Sequence, residues 1–374
     1  MKTHINQTNL RQMNVAAVFA CVQNGNGVTR KNIAELTDMS WGAVSTFTSE
    51  LIEHGYIVEE KAASSANRGP IPSYLYVRDD VHVSLGLEIN DMGLSASVVN
   101  LKHQAIATYS APLELLSKEQ ILNEVYAFLD DVVEKVRAKY HILCIGVAMQ
   151  GIVDFKNGIS VRIPGRVPDW RDVPIASLIA SHTEIPTYIA HDPDCVLYAA
   201  DTCEPDTILV RVDRGVGMAV MMDGVMVQRP GVFELGHVVA VNGGIPCACG
   251  KCGCLDKYVS MRGIAARAGK KYKEVADLAC KGDSEALSLF ADAGKYLAEG
   301  ICSAAHLLAI DRVLLCGALT EQKELFLAAF ESVLSARDPE GRIKVTFVDT
   351  ASASLGAALL AQRSELAEID LEKQ

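Results

Sequence analysis

The sequence predicts an α/β protein in two parts, a small N-terminal winged helix-turn-helix followed by a larger, duplicated two-lobed domain. Two patterns carry that prediction. Three short helical stretches and a β-hairpin open the chain, and a β-β-β-α-β pattern then occurs twice. The length agrees, because 374 residues are too many for one ordinary domain. With 49% hydrophobic and 22% charged residues the chain can bury a substantial core, which excludes disordered and fibrous classes.

In the first part, Leu10, Met13, Ala17, Phe19 and Val22 read as one apolar helix face, closed by Asn24-Gly25-Asn26-Gly27. A second helix begins at Thr29-Arg30-Lys31-Asn32, runs through Leu36 and stops at Asp38-Met39. Ser40 is a natural N-cap for a third, which is expected to bury Val44, Phe47, Leu51 and Ile52 before Gly55 ends it. Tyr56-Ile57-Val58 and Tyr74-Leu75-Tyr76-Val77 are strand-like and flank a polar loop that runs to Pro70. This order places the helix from Ser40 in the recognition position. Trp41, Ser45, Thr46 and Ser49 are then expected at its exposed face with Ser40 and Gly42, and Arg68 in the wing. Asp79-Asp80 marks the expected boundary after residues 1–78.

In the second part, strands near Val83–Ile89, Leu94–Leu101 and Ala105–Ser110 are followed by an amphipathic helix and a buried strand at Leu143–Ala148. The helix carries Ile121, Val125, Phe128, Leu129, Val132 and Val136 on one face. The second round runs Thr207–Val212, Gly217–Met222 and Val225–Gln228, with Asp223-Gly224 as a hairpin turn, then a helix near Ser284–Leu308 and a strand at Arg312–Cys316. A duplicated fold of this kind leaves a cleft between lobes, a common place for a ligand.

Charge and cysteine usage narrow the function. The net charge of −11 argues against broad nucleic-acid affinity, but it is uneven. Residues 1–78 hold seven Lys/Arg against six Asp/Glu, and the remainder 28 against 40. Met1–Arg11 is polar rather than signal-like and no long apolar run is present, so a soluble, cytoplasmic protein without membrane insertion is expected. Eleven cysteines, an odd number without framework spacing, indicate a reducing compartment. Four of them fall in Cys247-Ala248-Cys249-Gly250-Lys251-Cys252-Gly253-Cys254, where two glycines let the chain wrap. That is metal-ligand spacing, and thiolates with the nearby His237 suit zinc.

These residues resemble the ROK family of repressors, open reading frames and kinases. Its signature, Glu-x-Gly-His, a glycine, then Cys-x-Cys-Gly-x-x-Gly-Cys-x-Glu, stands here as Glu234-Leu235-Gly236-His237, Gly244 and Cys247 to Asp256, with only Asp256 departing. The likeness runs from the winged helix to Ser354-Leu355-Gly356-Ala357-Ala358. It implies an actin/RNase H-like, sugar-kinase-like fold with one lobe over 79–190, completed by a C-terminal helix over 351–374, and a second over 191–350 that holds the cysteine motif. It also implies a structural zinc on His237, Cys247, Cys249 and Cys254, leaving Cys252 as an extra thiol. A sugar site would form from Glu234, His237 and Asp256. Thr187-Tyr188-Ile189-Ala190-His191-Asp192 matches a strand that ends in Glu-Asn-Asp, so Asp192 takes the position of a kinase's base, beside His191. Ala190, His191 and the segment Ile163-Pro164-Gly165 depart from the family pattern.

Kinases of the family carry Asp-x-Gly-Gly-Thr after the first strand, where glycines bring backbone amides to phosphate. This chain has Glu88-Ile89-Asn90-Asp91-Met92, with both glycines and the hydroxyl gone. The second loop keeps Gly215 and Gly217 but has Arg214 and Met218, and Cys316-Gly317-Ala318-Leu319 is a thinned version of the family's adenosine-side glycines. The expectation is therefore a regulator rather than an enzyme, with no catalytic residue. It would be a repressor that binds operator DNA, takes a sugar or sugar-phosphate effector, and acts as a homodimer or homotetramer. The alternatives are an ATP-dependent sugar kinase, and a winged-helix interaction module held by a transporter protein.

Overall fold

A computed structural model of the chain describes residues 7–61, 72–91, 93–114, 117–163, 167–200, 206–228, 233–367 and 369–371. Arg68 and the pair Pro164-Gly165 lie outside these residues.

The chain begins with α1 (Gln7–Asn24), α2 (Arg30–Thr37) and α3 (Trp41–Glu53), followed by the antiparallel pair β1 (Ile57–Lys61) and β2 (Ser73–Val77). Thr29 starts α2 through a reciprocal cap with Asn32, and the Ser40 hydroxyl caps α3 by accepting from the Ala43 N–H at 3.3 Å. Two corrections concern which faces are buried. α1 buries Val15, Val18, Phe19 and Val22, while Leu10 and Met13 are exposed. At about 100° per residue, positions 10, 13 and 17 lie on the side of α1 opposite 15, 18, 19 and 22, so the expected single face was two. On α3 the buried positions are Val44, Thr48 and Leu51, at i, i+4 and i+7, with Phe47 and Ile52 half-buried at the flanks. Thr48 is tolerated inside because its hydroxyl accepts from Arg30 Nε at 2.9 Å and donates to the Ser45 carbonyl at 3.1 Å.

The first large sheet contains β3 (His82–Asn90), β4 (Gly93–Asn100) and β5 (Ala105–Ala111) as a meander. Helix α4 (Lys118–Arg137) crosses to β6 (His141–Met149), parallel to β3. A small sheet of β7 (Ile152–Asp154), β8 (Ile159–Arg162) and β9 (Arg171–Val173) and then α5 (Ile175–Thr183) lead to β10 (Thr187–His191), parallel to β6. After α6 (Asp192–Ala199) the pattern starts again with β11 (Thr207–Val212), β12 (Val216–Met222) and β13 (Val225–Met226). Asp223 and Gly224 both have positive φ, as the tight turn between β12 and β13 requires. Helices α7 (Asp256–Val259), α8 (Met261–Ala268), α9 (Tyr272–Cys280) and α10 (Ser284–Leu308) precede β14 (Arg312–Cys316). Then come α11 (Lys323–Arg337), β15 (Lys344–Phe347) and α12 (Ala353–Leu366).

The sheet orders are β10-β6-β3-β4-β5 and β13-β12-β11-β14-β15, so the two lobes repeat one topology. The repeat has five strands rather than the expected four per round. Strand β15 is a short edge strand with alternating exposure, and only its parallel pairing with β14 makes it one. One apolar core lies between the first sheet, α4 and α5, and another between the second sheet, α8, α9, α10 and α11. Helix α12 returns to lie on β3, β4 and β6 and against α6. Glycines permit that approach: a Cβ on Gly86 would fall 1.7 Å from the Ser354 carbonyl oxygen, and one on Gly146 1.9 Å from that of Ala357. The end of α3 is tied to the first sheet through His82, whose Nε2 donates to the His54 carbonyl at 2.7 Å while its ring stacks on Tyr56. Among the described residues no helix is long and apolar enough to cross a membrane.

Candidate functional site

The cysteine segment folds into a tight loop after a turn of 3-10 helix over Leu235–His237. Gly250 and Gly253 take positive φ, and a Cβ on Gly253 would fall 1.6 Å from the Val241 carbonyl oxygen, so only glycine fits there. The loop closes with the Cys247 N–H donating to the Lys251 carbonyl at 2.8 Å. One ligand atom from each of His237, Cys247, Cys249 and Cys254 lies within 4.8 Å of all the others. Tetrahedral thiolate ligands at about 2.3 Å from a metal lie about 3.8 Å apart, so the set fits such an ion. Cys252 is exposed and outside the cluster. His237 faces both ways. Its Nδ1 lies 3.6 Å from Cys247 Sγ, and its Nε2 lies 3.5 Å from a Glu234 carboxylate oxygen.

That second nitrogen opens onto a cleft of about 690 Å³ between the two lobes. Glu234, His237, Asp256, Asp192 and His191 all line it, so the structure brings together all five residues expected to meet a sugar. Asp256 begins α7, and its Oδ1 accepts from the Val216 N–H at 3.2 Å. Asp192 sits at the start of α6, where burial, helped by Asp213 and Asp91 and opposed by Arg211, pushes its carboxyl up to about 6. Burial first, and then Arg211, holds His191 down at about 3, so it is neutral at pH 7.

Several functional candidates escaped the sequence reading. Arg211 projects from β11 and meets Asp213 at 2.5 Å, Asp192 at 3.4 Å and Glu88 at 3.5 Å. Its signal was visible as one arginine inside the apolar run Ile208-Leu209-Val210-Arg211-Val212. The Gln150 amide nitrogen is buried and has no hydrogen-bond partner among the described residues, although Gln150 lines the cleft. Arg262 of α8 and Arg214 of the β11–β12 turn also line it, and both pair with Asp91. Nothing in the spacing of 91, 214 and 262 reveals that meeting.

Two backbone amides of the segment expected on the adenosine side are already taken by the protein. The Ala318 N–H donates to Asp213 Oδ1 at 2.6 Å, and the Gly317 N–H donates to Thr350 Oγ1 at 3.0 Å. Gly217 is explained by packing, because a Cβ there would lie 2.6 Å from Pro193 Cγ.

On α3, Trp41 is 65% exposed, and Thr46 and Ser49 are exposed. Ser45 is half-buried, a correction to its expected exposure that follows from its place beside Val44 and Thr48. The hydroxyls of Thr46 and Ser49 donate to the carbonyls of Gly42 and Ser45 at 3.1 and 2.9 Å. Arginines nearby hold the unit together: Arg11 pairs with Glu50 and Arg30 with Glu59, each through two hydrogen bonds.

Fold and site together define a helix-turn-helix protein built on a sugar-kinase-like scaffold with a Cys/His cluster beside its cleft. The chain belongs to the ROK family, whose model matches residues 85–364. It is 26% identical over 357 residues, 88% of this chain and 86% of the relative, to the DNA-binding transcriptional dual regulator NagC of Escherichia coli. It is also 26% identical over 278 residues, 72% of this chain and 69% of the relative, to a xylose repressor of Caldicellulosiruptor bescii. Among solved structures, a ROK family transcriptional regulator homologous to the E. coli Mlc protein superposes with a TM-score of 0.80 at 17% identity, covering 96% of this chain and 98% of that one. A ROK family glucokinase from Streptomyces griseus superposes with a TM-score of 0.64 at 21% identity, covering 75% of this chain and 99% of that one.

Proposed function

We propose that this protein is a sugar-responsive transcriptional repressor that binds operator DNA through α3 and the wing and a sugar or sugar phosphate in the interlobe cleft. The observation that carries the reading is a contrast within one cleft. The side chains suited to hydroxyls, Glu234, Asp256, Asp192 and His237, all face it. The backbone amides of Gly317 and Ala318, expected on a nucleotide's adenosine side, are bonded to the protein itself, and Asp91 brings a carboxylate to the loop after β3. A site that holds a sugar without a phosphate donor can sense but not phosphorylate. The names of the relatives, a transcriptional dual regulator and a xylose repressor, support the same reading.

In this reading His237, Cys247, Cys249 and Cys254 hold one zinc ion. With four protein ligands it has no open position for water and serves to order the loop. His237 then links that loop to the effector through its second nitrogen. Sugar binding favours one arrangement of the winged helices over another in a homodimer or homotetramer, and the difference in affinity sets the response. The protein acts in the cytoplasm, and an exposed Trp41 on α3 offers a transporter or other protein partner a contact.

The retained Asp192 favours a second reading, a sugar kinase. Coupled measurement of ADP release with ATP and a panel of hexoses separates the two. The repressor reading expects no sugar-dependent release and a gel-shift response to one sugar. Release abolished in Asp192→Asn would establish the kinase instead.

A further inference from the structure

Asp91 is the point where the two lobes meet in charge. It follows β3 directly, at the start of the turn to β4, and its carboxylate lies 2.7 Å from Arg262 Nη2 and 3.2 Å from Arg214 Nη1. Arg214 also donates to the Asp91 carbonyl at 2.9 Å. Both arginines come from the second lobe, and all three residues line the cleft. Their exposure differs in a useful way. The Asp91 side chain is 10% exposed, against 38% for Arg214 and 42% for Arg262. The carboxylate is therefore the covered partner, and the guanidinium groups are the ones a ligand can reach.

We propose that Arg214 and Arg262 form an anion subsite of the effector cleft, held by the protein's own Asp91 until a sugar phosphate replaces it. The inference rests on the reading that the cleft takes a sugar, and it names the class as a phosphate monoester of one. Neutral hydroxyls are served by the acceptors already present, Glu234, Asp256 and Asp192, and do not call for two guanidinium groups. Arg211, by contrast, is matched by three carboxylates of its own. Asp256 lines the same cleft as both arginines, so the hydroxyl-binding and anion-binding groups face one space. A phosphate monoester brings a charge of about −1.5 to −2 and three acceptor oxygens, against one charge and two oxygens for Asp91. It is thus the better partner for a pair of arginines. The exchange also has a mechanical consequence. The tie between lobes passes from Asp91 to the ligand, so occupancy by a phosphate changes what holds the cleft together, and a neutral sugar leaves the tie in place.

The test uses the full-length protein with inorganic phosphate alone, and with three hexoses each paired with its 6-phosphate, followed by calorimetry and thermal shift. Inorganic phosphate is expected to bind Asp91→Asn several-fold more tightly than wild type, because the internal competitor is gone, and the Asp91→Asn/Arg262→Gln double variant to lose that gain. For the hexose that binds, wild type is expected to prefer the 6-phosphate by tenfold or more. Arg262→Gln should bring that preference, read as the ratio of the two affinities in the same variant, close to one. Arg262→Lys, which keeps charge but not the two-pronged geometry, should fall between. Circular dichroism of each variant separates loss of binding from loss of fold. A wild type that binds a neutral hexose with no preference for its phosphate overturns the subsite and leaves the sugar-sensor reading standing. If no sugar binds, the sensor reading fails, and the inorganic phosphate series still decides the subsite. Equal phosphate affinity in wild type and Asp91→Asn overturns it.

Discussion

Arg211, Asp192 and Asp194 show how much of the cleft's chemistry is set by burial around a few charges. Arg211 stays charged in the interior because Asp192, Asp213 and Glu88 offset its desolvation, and removing any one of them leaves a cation short of a partner. Asp194 sits in the first turn of α6, 8% exposed. Burial first and Asp192 second push its carboxyl up to about 7, while the Gln228 side chain holds it down. A carboxyl raised on folding binds the extra proton in the native state, so its contribution to stability is full below about pH 4 and lost as the pH rises through about 7. Asp194→Asn is expected to match wild type near pH 4 and to exceed it by a margin that grows up to about pH 7. Melting curves across that range check it, and a margin independent of pH would show that the carboxyl is not titrating there. His191 has the opposite sign, losing stability as the pH falls from about 6.5 to 3, and it cancels in the comparison. For the metal cluster, purified protein is expected to carry about one zinc per chain, retained by Cys252→Ser and lost by Cys249→Ser. Equal loss in both variants, by elemental analysis, would mean the ligand set is wrong.

At the scale of single elements, α12 and α3 illustrate two different dependences. Helix α12 docks because Gly86 and Gly146 present no Cβ to it, and Gly356 returns the favour against the Cys195 carbonyl oxygen, 1.7 Å from where its own Cβ would be. Gly146→Val should therefore push α12 off β6 and cost about 3 kcal/mol, at the upper end of overpacking effects. Urea denaturation would reveal it, and a loss under 1 kcal/mol would mean that the helix shifts freely. On α3 the hydroxyls of Thr46 and Ser49 spend their protons on their own helix, so they present lone pairs outward. They are suited to base amino groups, those of adenine and cytosine, more than to phosphates. Thr46→Ala and Ser49→Ala are expected to change preference among half-sites at such positions, with little change in salt dependence. A uniform loss over all sequences in a gel-shift series would place these side chains on the DNA backbone instead.

For the molecule as a whole, the charge distribution predicts how DNA binding behaves. Residues 1–78 are almost neutral, and Arg11, Arg30 and Arg78 are already paired with Glu50, Glu59 and Asp80. Few phosphates can be neutralised, and each adds only about 0.9 to the slope of log affinity against log salt, so that slope should be shallow. Arg68→Ala should weaken binding to all sequences alike. Glu234→Ala should bind operator DNA as wild type does but stop responding to the sugar, because its carboxylate lies in the cleft and not near α3. Loss of DNA binding in Glu234→Ala would mean that the cleft is needed for the DNA-binding arrangement itself.

The sequence by itself determined whatever depends on neighbours along the chain. Ser40 and Thr29 as caps, the Asp223-Gly224 turn, the helix Ser284–Leu308 and the strand Arg312–Cys316 were legible because local spacing sets them. So was the clustering of His237 with the four thiols of Cys247–Cys254, while the exclusion of Cys252 came from the family resemblance and agrees with its exposed place outside the cluster. Periodicity was less reliable where apolar residues fall on two sides of one helix. On α1, Leu10 and Met13 look like Phe19 and Val22 until the rest of the core chooses a side. Tertiary structure alone decided the rest of the cleft. Asp91 meets Arg262 across 171 positions, Arg211 meets Glu88 across lobes, and the loop amides find Asp213 and Thr350. Charged side chains carry no periodicity that names a distant partner. Their pairing follows only once two separately folded lobes bring them into one space that water cannot fully screen.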